Sequence, residues 1–446
     1  MSVVTVQLGQ CGNQVGGALF DVLAGEALSA SRKEEPEAET FFRRGKGGTQ
    51  WVARAVLVDM EPKALASTVR SARASSGGVW GFDEGRLFSR ESGSGNNWAR
   101  GFHTHGPACR DDILNLVRKE VEECDRFGGF LTLQSVAGGT GSGLGAYAAG
   151  CLRDEYPASP LLGHCVWPHE SGEVIVQSYN AMLTLPKLAQ AADGVILVEN
   201  EALTATCRRL LNISRPSYTD LNLVAGRALA CVLLPAQWRS EADSVGVGGA
   251  RFRPLSDLVS AVCAHPHYPL LSLRALPQIP PASVDFTTFT WPSLVRQLRQ
   301  MASSGAPLES AVDWAAASGA PSSPPPAGTF RSVNKSVSSL LVLRGKGASG
   351  VDVSSFASPT LYPSWAVDPL TVISSPTQFG KYEMATGLLS NCQTLVSPIE
   401  RMLGRAYEMS HAGAYLHQYY QHGMSEASFE AAFASVEETL CHYRSL

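Results

Sequence analysis

Short apolar runs alternate with longer segments of helical periodicity through the first half of the chain. The runs are rich in valine and leucine and are bounded by glycine or polar residues, which is typical of strands buried in a sheet. They lie at residues 3–8, 53–58, 130–136, 174–176 and 194–198. Between them, residues 15–28 and 113–124 place apolar side chains on one face of a helix. This alternation predicts a mainly parallel sheet covered on both faces, which is an α/β fold.

One predicted helix differs from the others because it is apolar nearly all round. It covers residues 221–234, follows the cap sequence Ser217-Tyr218-Thr219-Asp220 and is stopped by Pro235. A helix without a polar face has no side to offer to water, so we expect it to be buried between two layers.

Beyond this helix the pattern indicates further structural units. A loop rich in serine and glycine at 237–249 leads to strand-like runs at 286–290 and 339–343, with a flexible Ser/Pro-rich insertion at 317–327 between them. From Pro398 onward the chain has helical periodicity. We therefore predict three domains. They are a Rossmann-like parallel-sheet domain with the central helix at 1–236, a second α/β domain at 237–380, and a C-terminal helical hairpin at 381–446.

Composition and charge exclude several classes of protein. The 446 residues carry a net charge of −4, so there is no overall basic field for nucleic acid. The charged stretch at 29–50 predicts a long, solvated surface loop. No apolar run is long enough to cross a membrane, and the N-terminus lacks the pattern of a signal peptide. Ten cysteines without a C-x-x-C pair are typical of reduced, buried thiols, so we expect an intracellular protein of the cytoplasm.

The glycine-rich stretch at 137–143 is the strongest sign of a binding site. It follows the apolar run at 130–136 and precedes an alanine-rich helix, so backbone N–H groups and a helix N-terminus converge there. Thr140 and Ser142 add hydroxyl donors, and the arrangement predicts a phosphate-binding turn. It is not a P-loop, since no lysine follows the glycines.

Two further local motifs suggest other functions. Gly141-x-Gly143-x-x-Ala146 satisfies a dinucleotide-binding pattern, which would indicate an NAD(P)-dependent enzyme, although no acidic residue follows at the usual spacing. The pairs His103/His105 and His265/His267 have a metal-like spacing, but neither pair has a clear third ligand for zinc.

Seven motifs, in their order and spacing, resemble those of the tubulin superfamily. They are GQCGNQ at 9–14, VDMEP at 58–62, GNNW at 95–98, AGGTGSG at 137–143, YN at 179–180, NEAL at 200–203 and YTDLN at 218–222. The likeness continues in YLHQY at 415–419 and GMSE at 423–426, so it covers the chain essentially from end to end. Within the superfamily, the N-terminal MSVVTVQ, RAVLVDMEPK at 54–63 and GSGNNW at 93–98 are most similar to the delta class.

The resemblance implies a site for GTP or GDP with Mg²⁺. The residues that would contact the nucleotide are Gly9, Gln10, Cys11, Gln14, Gly95, Asn96, Ala137, Gly138, Gly139, Thr140, Gly141, Ser142, Gly143, Glu173, Gln177, Asn200, Tyr218 and Asn222. Among them, Asn200 and Asn222 would read guanine because an amide both donates and accepts. Tyr218 would stack on the base, and Glu173 or Gln177 would meet the ribose. Two carboxylates, Asp59 and Glu61, would hold Mg²⁺ through its water shell.

The sequence departs from the pattern of the superfamily at several of these positions. Ala137 stands where most tubulins have glycine, and Gln177-Ser178 replaces Glu-Pro, so the ribose contact is expected to be weaker or shifted. In this family an acid on the next subunit orients water against the γ-phosphate, and the matching residue is Asp257. Arg251 and Arg253 flank it, so a surface carboxylate without a catalytic role in trans is the alternative.

The resemblance also implies a cellular role. It indicates a cytoskeletal subunit of centrioles, basal bodies and triplet microtubules that acts in cilium assembly and lies at the centrosome and the cilium base. The implied partners are other tubulins, epsilon-tubulin in particular, and centriolar microtubules, with no membrane and no nucleic acid. The sequence leaves open whether the chain is a weak GTPase completed by a neighbouring subunit or a tubulin-like scaffold that never turns its nucleotide over.

Overall fold

The computed structural model describes residues 1–28, 38–45, 48, 50–239, 250–263, 265–308 and 333–446. The predicted insertion at 317–327 lies outside the described residues, as do most of the predicted loop at 29–50 and most of the loop at 237–249. Within the described ranges, no helix is both long enough and apolar enough to cross a membrane.

A 12-stranded sheet forms the centre of the described structure. All strands are, in chain order, β1 (Ser2–Leu8), β2 (Phe42–Arg44), β3 (Trp51–Ala53), β4 (Ala55–Asp59), β5 (Trp80–Gly81), β6 (Leu87–Ser89), β7 (Phe127–Ser135), β8 (Leu161–Trp167), β9 (Gly194–Glu199), β10 (Ala236–Trp238), β11 (Arg251–Phe252), β12 (Leu270–Leu276), β13 (Ser336–Gly345), β14 (Leu370–Ser375) and β15 (Met384–Cys392). The large sheet has the order β11-β10-β14-β13-β15-β12-β9-β8-β7-β1-β4-β6, and β2, β3 and β5 form a smaller one.

The half of the large sheet from β6 to β12 is parallel throughout. Beyond β12 the pairing becomes mixed, because β15 is antiparallel to both β12 and β13, and β13 is parallel to β14. A parallel pair needs a crossover connection, and helices supply it here. The predicted α/β fold with a Rossmann-like parallel sheet is confirmed.

Helices cover both faces of the sheet. They are α1 (Gly9–Ala27), α2 (Pro62–Ser75), α3 (Gly106–Glu122), α4 (Gly145–Glu155), α5 (Gln177–Ala191), α6 (Asn200–Arg209), α7 (Tyr218–Leu233), α8 (Ser256–Val262), α9 (Trp291–Ser304), α10 (Val396–His411), α11 (Leu416–Tyr420) and α12 (Glu426–Arg444). Side chains alternate between faces along a strand. Val4 and Val6 of β1 accordingly join the core with α3, α4, α5 and α10–α12, whereas Val3 joins the core with α1, α2 and α7.

The central helix α7 begins as predicted and is buried along most of its length. The Ser217 hydroxyl accepts the Asp220 N–H, and the Asp220 carboxylate accepts the Ser217 N–H at 2.8 Å, which closes a capping box. Gly226 lets α7 approach α1 closely, since a Cβ there would lie 3.0 Å from the backbone nitrogen of Leu19. Burial is not complete, because Leu223 is exposed on the edge away from α1.

Two predicted strands are wrong. Residues 174–176 form a turn that leads into α5, and the strand that pairs between β7 and β9 is β8. Gly163 and His164 interrupt the apolar run of β8, which is why the pattern did not reveal it. In the range 286–290, Phe286 ends a 3₁₀ helix, Pro281–Phe286, and the residues after it form no strand. β-Branched and aromatic composition predicts a strand only where a neighbouring strand offers hydrogen bonds.

Candidate functional site

The carboxyl ends of the parallel strands lie along one edge of the large sheet and border a cavity of about 630 Å³. Ligands of open α/β sheets bind at this edge. Strand β1 leads into the first turn of α1, β4 into Asp59 and Glu61, β7 into the glycine-rich turn, and β9 into Asn200. Helix α1 begins at Gly9, earlier than the predicted start at residue 15, so its first turn belongs to the cavity.

Most of the predicted nucleotide and metal residues line this cavity. They are Gly9, Gln10, Cys11, Gln14, Asp59, Glu61, Gly95, Asn96, Ala137, Gly138, Gly139, Thr140, Gly141, Glu173, Gln177, Asn200, Tyr218 and Asn222. The sequence reasoning missed other lining residues, which are Leu8, Ser94, Ser135, Pro168, His169, Gly172 and Val174. Ser94 could have been found, because it belongs to the GSGNNW motif; its hydroxyl lies 3.0 Å from that of Thr140.

Glycines bring three turns into direct contact at one end of the cavity. Gly9 has φ +72°, and a Cβ there would lie 2.9 Å from the backbone nitrogen of Gly141. At Gly139 a Cβ would lie 2.6 Å from the Ser94 side chain. The first N–H groups of a helix have no carbonyl partner within it, so the start of α1 adds donors to this end. A set of N–H donors and hydroxyls without a bulky side chain suits phosphate oxygens.

Two residues of the glycine-rich turn, Ser142 and Gly143, are not among those that line the cavity. The Ser142 hydroxyl is buried and donates to the carbonyl oxygen of Gly138 within the same turn. Gly143 packs against the segment before α3, where a Cβ would overlap the carbonyl oxygen of Trp98. Both residues therefore stabilise the conformation of the turn through contacts with the protein backbone. The same geometry gives no support to the dinucleotide pattern, since its second glycine faces protein backbone.

Asp59 offers a carboxylate oxygen that the protein itself does not use. The Met60 N–H donates to Oδ1 at 2.7 Å, while Oδ2 is buried without a hydrogen-bond partner among the described residues. Burial raises the pKa of Asp59 to about 6, and the charge of Glu61 adds to this effect. A cation beside Oδ2 would supply the missing counter-charge. Two carboxylates in a cavity whose glycine turns suit phosphate oxygens are suitable ligands for Mg²⁺, which retains much of its water shell when bound.

The lining of the cavity also includes amides and an aromatic ring. Asn200 begins α6, and Asn222 lies buried in the first turns of α7 beside the half-exposed Tyr218. Burial and the neighbouring Glu173 carboxylate raise the pKa of the Tyr218 phenol, so the ring stays neutral. Burial raises the pKa of Cys11 to about 12, and its thiol is likewise neutral. These groups can stack on a base and read its polar edge.

Only one end of the Gln177 amide has a hydrogen-bond partner among the described residues. Its Nε2 donates to the carbonyl oxygen of His169 at 2.7 Å, while Oε1 is buried and has no partner in the part of the chain that the structure describes. The loop that carries His169 and Gly172 is thus tied to the start of α5. Oε1 is the atom that remains for a hydroxyl donor of a ligand.

Asp257 lies away from this cavity, and its carboxylate is fully engaged. It sits in the first turn of α8 with 7% of its surface exposed. One oxygen accepts the Arg253 side chain, with a shortest N···O distance of 2.8 Å, and the other accepts the Arg253 N–H at 2.9 Å. The pairing of Asp257 with a flanking arginine, which the sequence suggested, is therefore present. The carboxylate is buried, however, whereas the alternative from the sequence was a carboxylate exposed on the surface.

The histidine pairs lie among aromatic side chains. His103 packs edge-on against Trp98 and Phe102, and the His267 ring stacks on His442 with centroids 4.5 Å apart. Among the residues that the structure describes, no group of three or more His, Cys, Asp or Glu side chains could hold a metal ion. The geometry thus adds no third ligand to either predicted zinc pair.

Comparisons with known proteins identify relatives over the whole chain. The family model described as "Tubulin/FtsZ family, GTPase domain" matches residues 2–208. The tubulin delta chains of Mus musculus and Homo sapiens are each 40% identical over 461 residues, which covers 100% of this chain and 100% of theirs. The tubulin beta-4 chain of Zea mays is 29% identical over 462 residues, covering 99% of this chain and 94% of its own length.

Proposed function

Because the chain belongs to the tubulin family, we propose that it is a cytoskeletal subunit that binds GTP or GDP with Mg²⁺ and assembles with other tubulins. The observation that carries the proposal is the cavity at the strand ends, whose lining combines glycine turns and an unpaired carboxylate oxygen with Asn200, Asn222 and Tyr218. A nucleotide needs this combination, with donors for phosphates and amides for a base.

The chain's own residues would bind and orient the nucleotide. The glycine turns would hold the phosphates, Asp59 and Glu61 would hold Mg²⁺ through water, and Glu173 or Gln177 would meet the ribose. When bound, the cation would neutralise charge on the phosphate oxygens. Asn200 and Asn222 would distinguish guanine from adenine, because amides can match both the O6 acceptor and the N–H donors of guanine.

Competition binding tests the specificity. GTP should displace a fluorescent guanine nucleotide far better than ATP, and Asn222→Ala should cost about 1–3 kcal/mol because a buried partner is left unpaired. Asn115→Ala is the matched control, since Asn115 is exposed on α3 away from the cavity. Equal affinity for GTP and ATP would refute guanine recognition.

We also propose that the isolated chain hydrolyses GTP very slowly and that Asp257 completes the site of a neighbouring subunit. No arginine lines the cavity in the described structure, so we expect no arginine of the same chain to stabilise the transferred phosphate. Asp257→Asn should leave the mutant's own binding intact and lower hydrolysis in the partner by about 10²-fold. Mixtures of mutant and wild-type chains, in which only one chain has a usable nucleotide site, show whether hydrolysis is lost at the mutant's own site or at the partner's site.

The pairing of Asp257 with Arg253 favours a second candidate, in which the nucleotide is structural and never turned over. Both oxygens of this buried carboxylate already contact Arg253, which neutralises its charge and leaves fewer acceptor sites for a water molecule. Under this candidate Asp257→Asn changes turnover nowhere, whether the chain is alone or with partner tubulins. Turnover that stays first-order at high dilution would contradict both candidates.

For the cellular role, we propose action in triplet microtubules of centrioles and basal bodies and in cilium assembly, with epsilon-tubulin as a partner. The full-length similarity to tubulin delta chains supports this assignment. A tagged chain should lie at the centrosome and the cilium base, and its depletion should leave basal bodies with incomplete triplets in electron micrographs. Normal triplets after complete depletion would overturn the proposal.

A further inference from the structure

Asn180 lies behind the cavity and joins the two turns of its phosphate end. Its side chain, on α5, is fully buried. The amide nitrogen donates to the carbonyl oxygen of Asn96 at 2.8 Å and to that of Ala137 at 2.6 Å, and these carbonyls belong to the two different turns. The amide oxygen accepts the Trp98 N–H at 3.0 Å. One buried side chain therefore hydrogen-bonds to both turns.

The fourth partner of this amide comes from the C-terminal helices. The Tyr419 hydroxyl, on α11, donates to the amide oxygen of Asn180 at 2.6 Å. Tyr419 is fully buried and packs edge-on against Tyr179 and Phe429, so its ring has a defined position. The Trp98 N–H can only donate, and the Tyr419 hydroxyl adds a second donor to the same oxygen, so the two together oppose the rotation that would exchange the amide oxygen and nitrogen.

On this basis we infer that Tyr419 is a positioning residue for the phosphates of the bound nucleotide, and that it acts through Asn180. The inference rests on the proposed guanine-nucleotide function. Tyr419 itself does not line the cavity. Its hydroxyl holds the Asn180 amide in the orientation that keeps both turns at the spacing required by the phosphate oxygens. The C-terminal helical segment is thereby part of the nucleotide site.

A tyrosine beside Tyr419 provides a matched control. The Tyr179 hydroxyl donates to the carbonyl oxygen of Ala414, in the C-terminal segment, at 3.0 Å. Tyr179→Phe thus removes a buried hydroxyl that holds the same C-terminal segment, while the Asn180 amide keeps every partner. A loss seen with Tyr419→Phe and not with Tyr179→Phe comes from the amide and not from general loosening.

The test compares GTP, GDP and guanosine binding by calorimetry to the full-length wild-type, Tyr419→Phe and Tyr179→Phe chains. Tyr419→Phe should weaken GTP and GDP by about fivefold, the factor for one buried hydrogen bond, while guanosine, which has no phosphate, keeps its affinity. Tyr179→Phe should bind all three like the wild type. A purely structural role of Tyr419 would weaken guanosine and GTP alike, and that result would overturn the inference.

A double variant gives an independent measurement. In an Asn180→Ala background the Tyr419→Phe change should have no further effect on GTP affinity, because its target is gone. Equal losses in both backgrounds would overturn the inference. If Asn180→Ala does not fold, the two tyrosine variants still decide. Wild-type protein that binds neither GTP nor guanosine would instead refute the proposed function itself, and this outcome is seen before any variant is compared.

Discussion

A buried histidine in the middle of the sheet leads to a prediction about stability. His164 lies on β8 between Leu133 of β7 and Ile196 of β9, and both neighbours belong to the core with α1, α2 and α7. Its side chain is 0% exposed, and neither ring nitrogen has a hydrogen-bond partner among the described residues. Burial lowers the pKa of His164 from 6.5 to about 4, because an imidazolium there would have no water and no counter-charge.

The sign and size of the effect follow from proton linkage. The unfolded chain binds the proton near pH 6.5 and the folded chain only near pH 4, so stability falls as the pH is lowered through this window. A gap of about 2.5 pKa units corresponds to about 3.4 kcal/mol when the transition is complete, and about 2 kcal/mol of this is lost by pH 5. His164→Leu removes the titrating group and should not suffer this loss.

Equilibrium urea unfolding at pH 8 and pH 5, followed by tryptophan fluorescence, measures the difference. The gap between His164→Leu and wild type should widen by about 2 kcal/mol from pH 8 to pH 5 in favour of leucine. Any change in packing contributes equally at both pH values and cancels. His417→Gln, which replaces an exposed histidine, controls for general pH sensitivity. A gap that is the same at both pH values would refute the reasoning and would mean that His164 is solvated.

Four other substitutions have expected outcomes. Asp59→Asn should abolish Mg²⁺-dependent GTP affinity, and in the wild type this dependence should fade below about pH 6, as protons compete with the cation, in calorimetry at pH 5.5 and 7.5. Glu120→Gln should cost about 3–5 kcal/mol in urea unfolding, because Arg43 and Arg86 lose their one fully buried carboxylate partner and keep only more exposed ones. Glu123→Gln should cost less than about 1 kcal/mol, because the Glu123 carboxylate, which pairs with Arg86, is half-exposed. Gly143→Ala should abolish nucleotide binding or folding, because the methyl overlaps the Trp98 carbonyl oxygen, as size-exclusion and binding assays would show.

The sequence by itself determined the elements whose signals are local. The apolar runs of β1, β4, β7 and β9 and the cap of α7 depend on neighbouring residues alone, and all are present. Most of the residues that the tubulin resemblance assigned to the site line one cavity, because the motifs lie where parallel strands end at one edge. Glycine marked the turns, since the φ of Gly9 favours glycine and its contact with Gly141 leaves no room for a Cβ.

Only the tertiary structure decided which segments of similar composition form strands. Residues 174–176 and 286–290 have strand-like composition, yet neither pairs with a strand, whereas β8, with its histidine and glycine, pairs on both sides. Strand formation requires partners for backbone groups, and those partners are distant in sequence. Ser142 likewise turns its hydroxyl back to Gly138, a direction that residue type does not specify.

The contacts between distant segments were beyond any local signal. Asn180 and Tyr419 are 239 residues apart, and the sequence shows each only as part of a motif. Asp257 follows Arg253 by four residues in the sequence, but its burial depends on how α8 packs. Periodicity and turn chemistry follow from neighbouring residues, so the chain specifies them locally. The direction and partner of a buried polar side chain depend on which surfaces come together, and that is settled only when the whole chain has packed.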